Sequence, residues 1–263
     1  MNGRLRNVLI AATVCLIGVP ALGRDETAAV AAPAQVARVS KTAEPRAKAA
    51  KTPAVVRAAN RRAPVANTLM NVSETDTAGI SPDVLGLALQ AVSCAVSSGD
   101  IRTPKTLTVI DYSLPSTDER LWVFEVATGR LLFKELVAHG RNTGENMATD
   151  FSDRLNSRQS SIGLFVTDDT YVGTNGYSLR LDGLEPGYNA RARERAIVMH
   201  GAPYVNAELA KHQGRIGRSW GCPALREAVA RDIIDTIRGG GVIFSYYPDD
   251  EWLNESRFLN CGS

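Results

Sequence analysis

Histidine and cysteine, the side chains that most often do nucleophilic and acid–base chemistry near neutral pH, are scarce in this chain. It has three histidines and four cysteines among 263 residues. Three histidines at irregular spacing make a poor metal set: His200, His212 and Cys222 would give three ligands at irregular intervals, with a proline beside the thiol. A metal site is therefore a weak reading. Aromatic residues are also few, at 6%, and the net charge is only +2. Long apolar runs are missing as well. The longest, Val8 to Val19, falls short of the roughly 20 residues that a membrane-spanning helix needs. Arg4 and Arg6 precede that run and Ala21-Leu22-Gly23 follows it, which reads as an exported leader over 1–23, cleaved after about Gly23.

The small net charge hides a division. Arg24 to Met70 contains nine Lys or Arg against three Asp or Glu, while the chain from Asn71 onward carries 19 against 25. The basic stretch is rich in Ala and Pro, contains no aromatic residue and shows no sustained period, so 24–75 is expected to be a linker without a core. Such a linker suits peripheral contact with anionic lipid or wall polymer, or a solvated spacer. Nucleic acid is excluded, since no aromatics interleave with the basic residues. The folded domain is expected over 76–263, in a periplasmic or otherwise extracytoplasmic compartment. Loss of the leader leaves Cys94, Cys222 and Cys261, an odd number in an oxidising environment. Two readings stay open: Cys94 pairs with Cys261 and Cys222 remains a thiol, or all three stay reduced.

Ser81-Pro82-Asp83 followed by apolar residues at helical spacing, and closed by Gly99, predicts a helix. From Leu107 the pattern turns strand-like. "RLWVFEVA" and "RLLFKELVAH" meet at Thr128-Gly129 as a hairpin, and "SIGLFVTDD", "YVGTNGYSLRL", "AIVMH" and "GVIFSYY" are further strands. Arg191, Arg193 and Arg195 alternate as they would on one face of a strand. Many short strands with few helices predict a mainly β fold, a sandwich or barrel with flanking helices. Between Arg141 and Ser161 lie about 20 residues without clear period, the kind of segment that covers a site as a lid.

The chemistry converges on "MHGAPYVNAELAKHQGRIGRSWGCPAL", Met199 to Leu225. An apolar strand ends at His200, where a side chain emerges at a sheet edge. Apolar residues at helical spacing follow Cys222, so Pro223 is expected as the first helical residue and Cys222 at a helix N-terminus, where the macrodipole would favour a thiolate. The N–H groups of Trp220, Gly221 and Cys222 are candidate oxyanion donors. Thiolate, base and oxyanion donors are what acyl transfer through a thioester requires. His139 and His212 read as bland, one at a strand end and one in a loop.

His200-Gly201 followed by Ser219-Trp220-Gly221-Cys222 resembles the signature of the L,D-transpeptidase (YkuD-type) catalytic domain, in the branch with "GRSWGCPAL" in place of Ser-His-Gly-Cys followed by arginine. The similarity runs from about Ile80 to Tyr247, through "SSIGLFVT", "YVGTNGYSLRLDGLEPGYN" and "RAIVMHGAPYV". The resemblance implies a YkuD-like β-sandwich of mixed sheets with flanking helices and no metal or organic cofactor. It implies Cys222 as nucleophile, His200 as general base and the carbonyl of Gly201 as the group that orients the imidazole. The implied substrate is a peptidoglycan stem tetrapeptide, cleaved before its terminal D-alanine. The acyl group would pass to a diaminopimelate amine, to the lysine of an outer-membrane lipoprotein, or to water, the last being L,D-carboxypeptidase action. It also makes Cys222 a target for carbapenems.

Two positions depart from the common pattern: Trp220 stands where a second histidine is usual, and Ala224 where an arginine is usual. The carboxylate-binding role of that arginine is expected to move to Arg218, Arg215 or Arg195, with Ser219 and Tyr204 completing the substrate contacts. A sortase would separate histidine and cysteine more widely and need an arginine on a later strand, and an NlpC-type amidase places cysteine first. A noncatalytic wall-binding module of the same fold is the alternative outside enzymes.

Overall fold

The computed structural model describes residues 79–261; the leader and linker expected over 1–75 lie outside these. The described chain is mainly β. Helix α1 (Pro82–Ser97) begins as its sequence dictates: Ser81 is extended, Pro82 occupies the first turn and Asp83 faces the helix N-terminus. It ends where Gly99 adopts φ +78°.

There follow β1 (Thr106–Asp111), β2 (Leu121–Glu125), β3 (Leu131–Glu135), β4 (Val137–Ala138), β5 (Gly163–Gly173), β6 (Gly176–Gly183) and β7 (Val198–Gly201). The chain continues through α2 (Ala207–Gln213), β8 (Ala224–Leu225), α3 (Glu227–Ile237), β9 (Val242–Tyr246) and α4 (Asp250–Glu255). The nine strands form one mixed sheet in the order β3-β2-β1-β9-β5-β6-β7-β8-β4. The pairs β1–β9 and β7–β8 are parallel, and the others antiparallel. The two edge strands, β3 and β4, are separated in the chain by Leu136 alone. One residue spans under ~4 Å, so the two edges of the sheet must lie near each other and the sheet curls almost closed.

Strand alternation then divides the apolar residues between two faces. Leu107, Val109, Trp122, Phe124, Val242 and Phe244 face α1 and α4 in one cluster. Ile110, Leu121, Val123, Phe165, Leu181 and Ile243 pack with Ile233, Ile234 and Ile237 of α3 in the other, and Cys222 belongs to this second cluster. Cys94 on α1 is disulfide-bonded to Cys261 with 6.0 Å between their Cα atoms, and Cys222 is a free, buried thiol.

Two local expectations are corrected. "YVGTNGYSLRL" is a hairpin rather than one strand: Gly173 pairs with Gly176 across Thr174-Asn175, and Gly176 takes φ +72°. An Asn-Gly step is a hairpin signal. Arg191, Arg193 and Arg195 lie in consecutive turns rather than on a strand face. The turn points them at different partners: Arg191 binds Glu194, Arg193 binds Asp168 and Asp182, and Arg195 turns inward.

Candidate active site

The site is built where two strands run parallel. β7 pairs with β8 in the register His200 to Ala224 and Gly201 to Leu225. Stepping back two residues sets Val198 beside Cys222, and the Val198 N–H accordingly approaches Cys222 Sγ at 3.5 Å. Residues two apart on a strand share a face, so His200 and Cys222 are diagonal neighbours on one face of the sheet. Both are buried, Cys222 at 8% exposure.

His200 Nδ1 lies 2.9 Å from the carbonyl oxygen of Gly201. Only an N–H can serve that acceptor, so the proton of the neutral ring sits on Nδ1 and Nε2 keeps its lone pair. Burial holds the imidazole below its ordinary pKa of 6.5, with the Gly201 carbonyl opposing. Burial pushes the Cys222 thiol up, against the pull of the Val198 N–H, the Arg195 guanidinium and the N–H of Cys222 itself. The resting pair is therefore thiol and neutral imidazole. Among the described residues no hydrogen bond joins the two; the thiol instead lies 3.7 Å from the carbonyl of Ala196. Ala196 is one of three non-glycine residues with positive φ among the described residues, at +53°, a conformation that commonly marks a constrained functional segment.

The expected helix N-terminus at Cys222 is not there. α3 starts at Glu227, after Arg226 as N-cap, and the residues just past the cysteine are drawn into the sheet as β8 between β7 and β4. The macrodipole thus cannot activate this thiol, because its field fades within a turn. β8 also explains Ala224. That side chain is fully buried in the small cluster with Ala138, Ala202 and Ile216, which leaves no room for a guanidinium.

The oxyanion donors are partly committed. The Gly221 N–H donates to Ser219 Oγ at 3.0 Å, and Ser219 Oγ–H donates to the Cys222 carbonyl at 2.7 Å. Ser219 thus shapes the turn from within rather than facing a substrate, and Gly221, at φ +125°, needs its missing side chain to adopt it. The Trp220 N–H has no acceptor among the described residues, and the Cys222 N–H is engaged with the residue's own thiol.

Segment 140–161 forms the adjoining wall. Ser219 N–H donates to the His139 carbonyl and Arg141 N–H returns to Ser219 O, at 2.9 and 2.8 Å. Ser160 Oγ accepts from Gly140 N–H and donates to the Gly221 carbonyl. A Cβ on Gly140 would lie 2.5 Å from the Arg158 carbonyl oxygen and 3.0 Å from Gly221 Cα, so glycine there lets the wall and the cysteine turn touch. Behind it, fully buried Arg120 donates to Val137 O, Leu114 O and His139 Nδ1. An acceptor at Nδ1 places the ring proton of His139 on Nε2, facing Gly144 O at 3.3 Å. Burial and the Arg120 charge push the pKa of His139 down to about 4. These bonds make the segment a fixed wall, not the detachable lid expected from its length.

The arginines expected to hold substrate are otherwise engaged. Arg195, with its side chain 3% exposed, donates to Ser152 O, Ser161 Oγ, Ser157 Oγ and Gln159 O and lies 3.7 Å from Asp153. Arg215 and Arg218 both clasp Glu145 at 2.8 Å, and Arg218 adds the carbonyls of Arg141 and Gly144. Tyr204 is half-buried, its hydroxyl pushed up to about 12 first by burial and then by the charge of Cys222. Trp220 stands 70% exposed, with the Arg158 guanidinium 4.8 Å from its ring centroid. The only sequence signal for this wall, which carries Arg158 and Ser160, was the length of an aperiodic segment.

A family model described as the L,D-transpeptidase catalytic domain matches residues 76–246. Among solved structures the chain is similar to an L,D-transpeptidase from Mycobacterium smegmatis, at 15% identity over 54% of this chain and 59% of that one, with TM-score 0.35. It is similar to one from Mycobacterium tuberculosis H37Rv at 13% identity over 55% and 58%, with TM-score 0.36. It is also similar to one from Stackebrandtia nassauensis at 14% identity over 67% and 76%, with TM-score 0.34. The first two matches span under two thirds of those chains' own length. No curated protein matches the chain.

Proposed function

The chain belongs to the L,D-transpeptidase catalytic-domain family, and on that premise we propose that it is an exported cysteine acyltransferase acting on peptidoglycan stem peptides. The observation that carries this is the pair built across β7 and β8: an imidazole held by the Gly201 carbonyl on the same sheet face as the free thiol of Cys222. Turning Sγ from Ala196 O toward His200 Nε2 gives the base its proton and frees the thiolate. The thiolate attacks the carbonyl preceding the terminal D-alanine of a tetrapeptide. The N–H groups of Trp220 and, once Sγ has turned, of Cys222 suit the oxyanion, and Gly221 joins only if Ser219 releases it. Collapse breaks the C–N bond, and His200 returns the proton to the leaving amine, so D-alanine departs and a thioester remains. A diaminopimelate amine then attacks the thioester, passing its proton through His200, and Cys222 is regenerated as a thiol.

His200 is the group whose protonation limits the first step. Its depressed pKa keeps it an effective base at neutral pH, and acylation should fall only when the pH drops through a value below 6.5.

The test is to incubate the protein, beside Cys222→Ala, with disaccharide tetrapeptide and with a carbapenem, and to follow intact-protein and product masses. The expected outcome is a Cys222-dependent acyl adduct, release of D-alanine and cross-linked dimers, all absent from Cys222→Ala. Tripeptide without dimer would assign hydrolysis in place of transfer. No adduct with either reagent would leave a noncatalytic wall-binding module.

A further inference from the structure

We propose that Arg158 is the residue that binds the carboxylate of the acyl donor at the mouth of the Cys222 site, in place of an arginine following the cysteine. The inference rests on the reading above, in which the donor is a peptide that carries carboxylates near the bond to be broken. Ala224 is sealed in the sheet, and the guanidiniums of Arg195, Arg215 and Arg218 are spent on serines, loop carbonyls, Glu145 and Asp153. Arg158 is different. Its side chain is exposed and makes no hydrogen bond or ion pair among the described residues; its Cζ lies 4.8 Å from the ring centroid of Trp220, two positions before the nucleophile.

A cation–π contact uses none of the guanidinium N–H groups, so an arginine held over a ring and otherwise unbonded is positioned and still able to take a carboxylate bidentately. The backbone enforces the direction. Arg158 sits at φ +56°, a conformation costly for a side-chain-bearing residue. Its carbonyl turns inward to accept from Asn142 N–H at 3.2 Å and rests against Gly140, and Gly140 in turn abuts Gly221. The strained turn thus fastens the Arg158 backbone beside the cysteine turn. The indole keeps the side chain from wandering, at a contact strength of about 0.5–1 kcal/mol for an exposed cation–π pair. Trp220, at the position where histidine is usual, acquires a role as the platform for this cation. Arg141, also exposed, adjoins Ser219 through its backbone but has no such platform, and is the natural comparator.

The test uses two alkylating probes of similar size, iodoacetate and iodoacetamide, on the full chain, with the rate at Cys222 read by peptide mass mapping. Arg158→Ala should lower the iodoacetate rate about three- to tenfold while leaving the iodoacetamide rate unchanged. Arg158→Lys should recover part of the loss, and Trp220→Ala should reproduce part of it. Equal slowing by both probes would make Arg158 a structural residue and overturn the proposal, as would a larger selective loss in Arg141→Ala or no selective loss at all. Tetrapeptide with a free carboxylate, compared with its C-terminal amide, gives the second readout. KM for the acid should rise in Arg158→Ala with that for the amide unmoved, and an equal rise in both would count against the proposal. The probe ratio needs only the free thiol, so a selective probe effect without turnover of any peptide would refute the transpeptidase reading and leave the anion site standing.

Discussion

Two guanidiniums flank the cysteine turn, and they are built in opposite ways. Arg195 is sunk behind Cys222, its donors divided among four oxygen atoms of residues 152–161 and its charge set near Asp153. Arg158 lies on the rim, exposed and supported by a ring face alone. A charge that must be buried has to be saturated by its surroundings, and what is saturated cannot also recognise a ligand. The inner wall therefore fixes the cysteine turn and biases its thiol electrostatically, while the rim keeps donors in reserve. Arg215 and Arg218 fall between the two, partly exposed but held by Glu145.

The largest expected effect lies on the inner wall. Arg195→Ala removes a donor from four oxygen atoms and takes away the guanidinium 3.7 Å from the buried carboxylate of Asp153, so chemical denaturation should show a loss of about 3–5 kcal/mol. Arg195→Lys should restore little, since one ammonium cannot span acceptors on Ser152, Ser157, Gln159 and Ser161. A loss under ~1 kcal/mol would erase the distinction between wall and rim.

Acid should damage the same wall next. Buried His139 takes a proton only near pH 4, whereas in the unfolded chain it does so near 6.5. Between these values the unfolded state binds a proton that the folded state does not, and stability falls as the pH is lowered. The contribution lost between pH 7 and pH 4 is about 3 kcal/mol. His139→Gln should flatten this part of the stability profile even if it lowers the plateau, and an unchanged slope would show that other groups carry the acid response.

The two sides also differ in how far they could be read from the sequence. His200 and Cys222 could be singled out as candidates because their signals are local: an apolar strand ended by His-Gly, and a cysteine in a Gly-Cys-Pro turn. The strands and the first helix followed from period and capping residues in the same way. The helix expected at Pro223 failed because pairing of Ala224 and Leu225 with β7 and β4, contacts distant in sequence, outweighed a good local start signal. The wall was illegible for the same reason. Arg195 meets its partners across 34 to 43 positions, and Ser160 meets Gly221 across 61. No spacing rule reaches that far, so the candidate arginines could be named but not sorted into those the fold consumes and those it leaves free.

The smallest effect should come from the rim, and its smallness is what separates the two sides. Arg158→Ala removes an exposed cation–π contact and no hydrogen bond of the side chain, so unfolding should shift by only about 0.5–1 kcal/mol. Arg158→Gly removes the same contact but also relieves the cost of φ +56°, about 1 kcal/mol for a residue with a Cβ. Glycine at 158 should therefore be at least as stable as alanine there, although glycine is ordinarily the more disruptive replacement. That inversion ties the strain to the backbone and the recognition to the side chain. Should Arg158→Ala instead cost as much as Arg195→Ala, the guanidinium on Trp220 would be part of the scaffold, and the rim would have no cation to spare for a ligand.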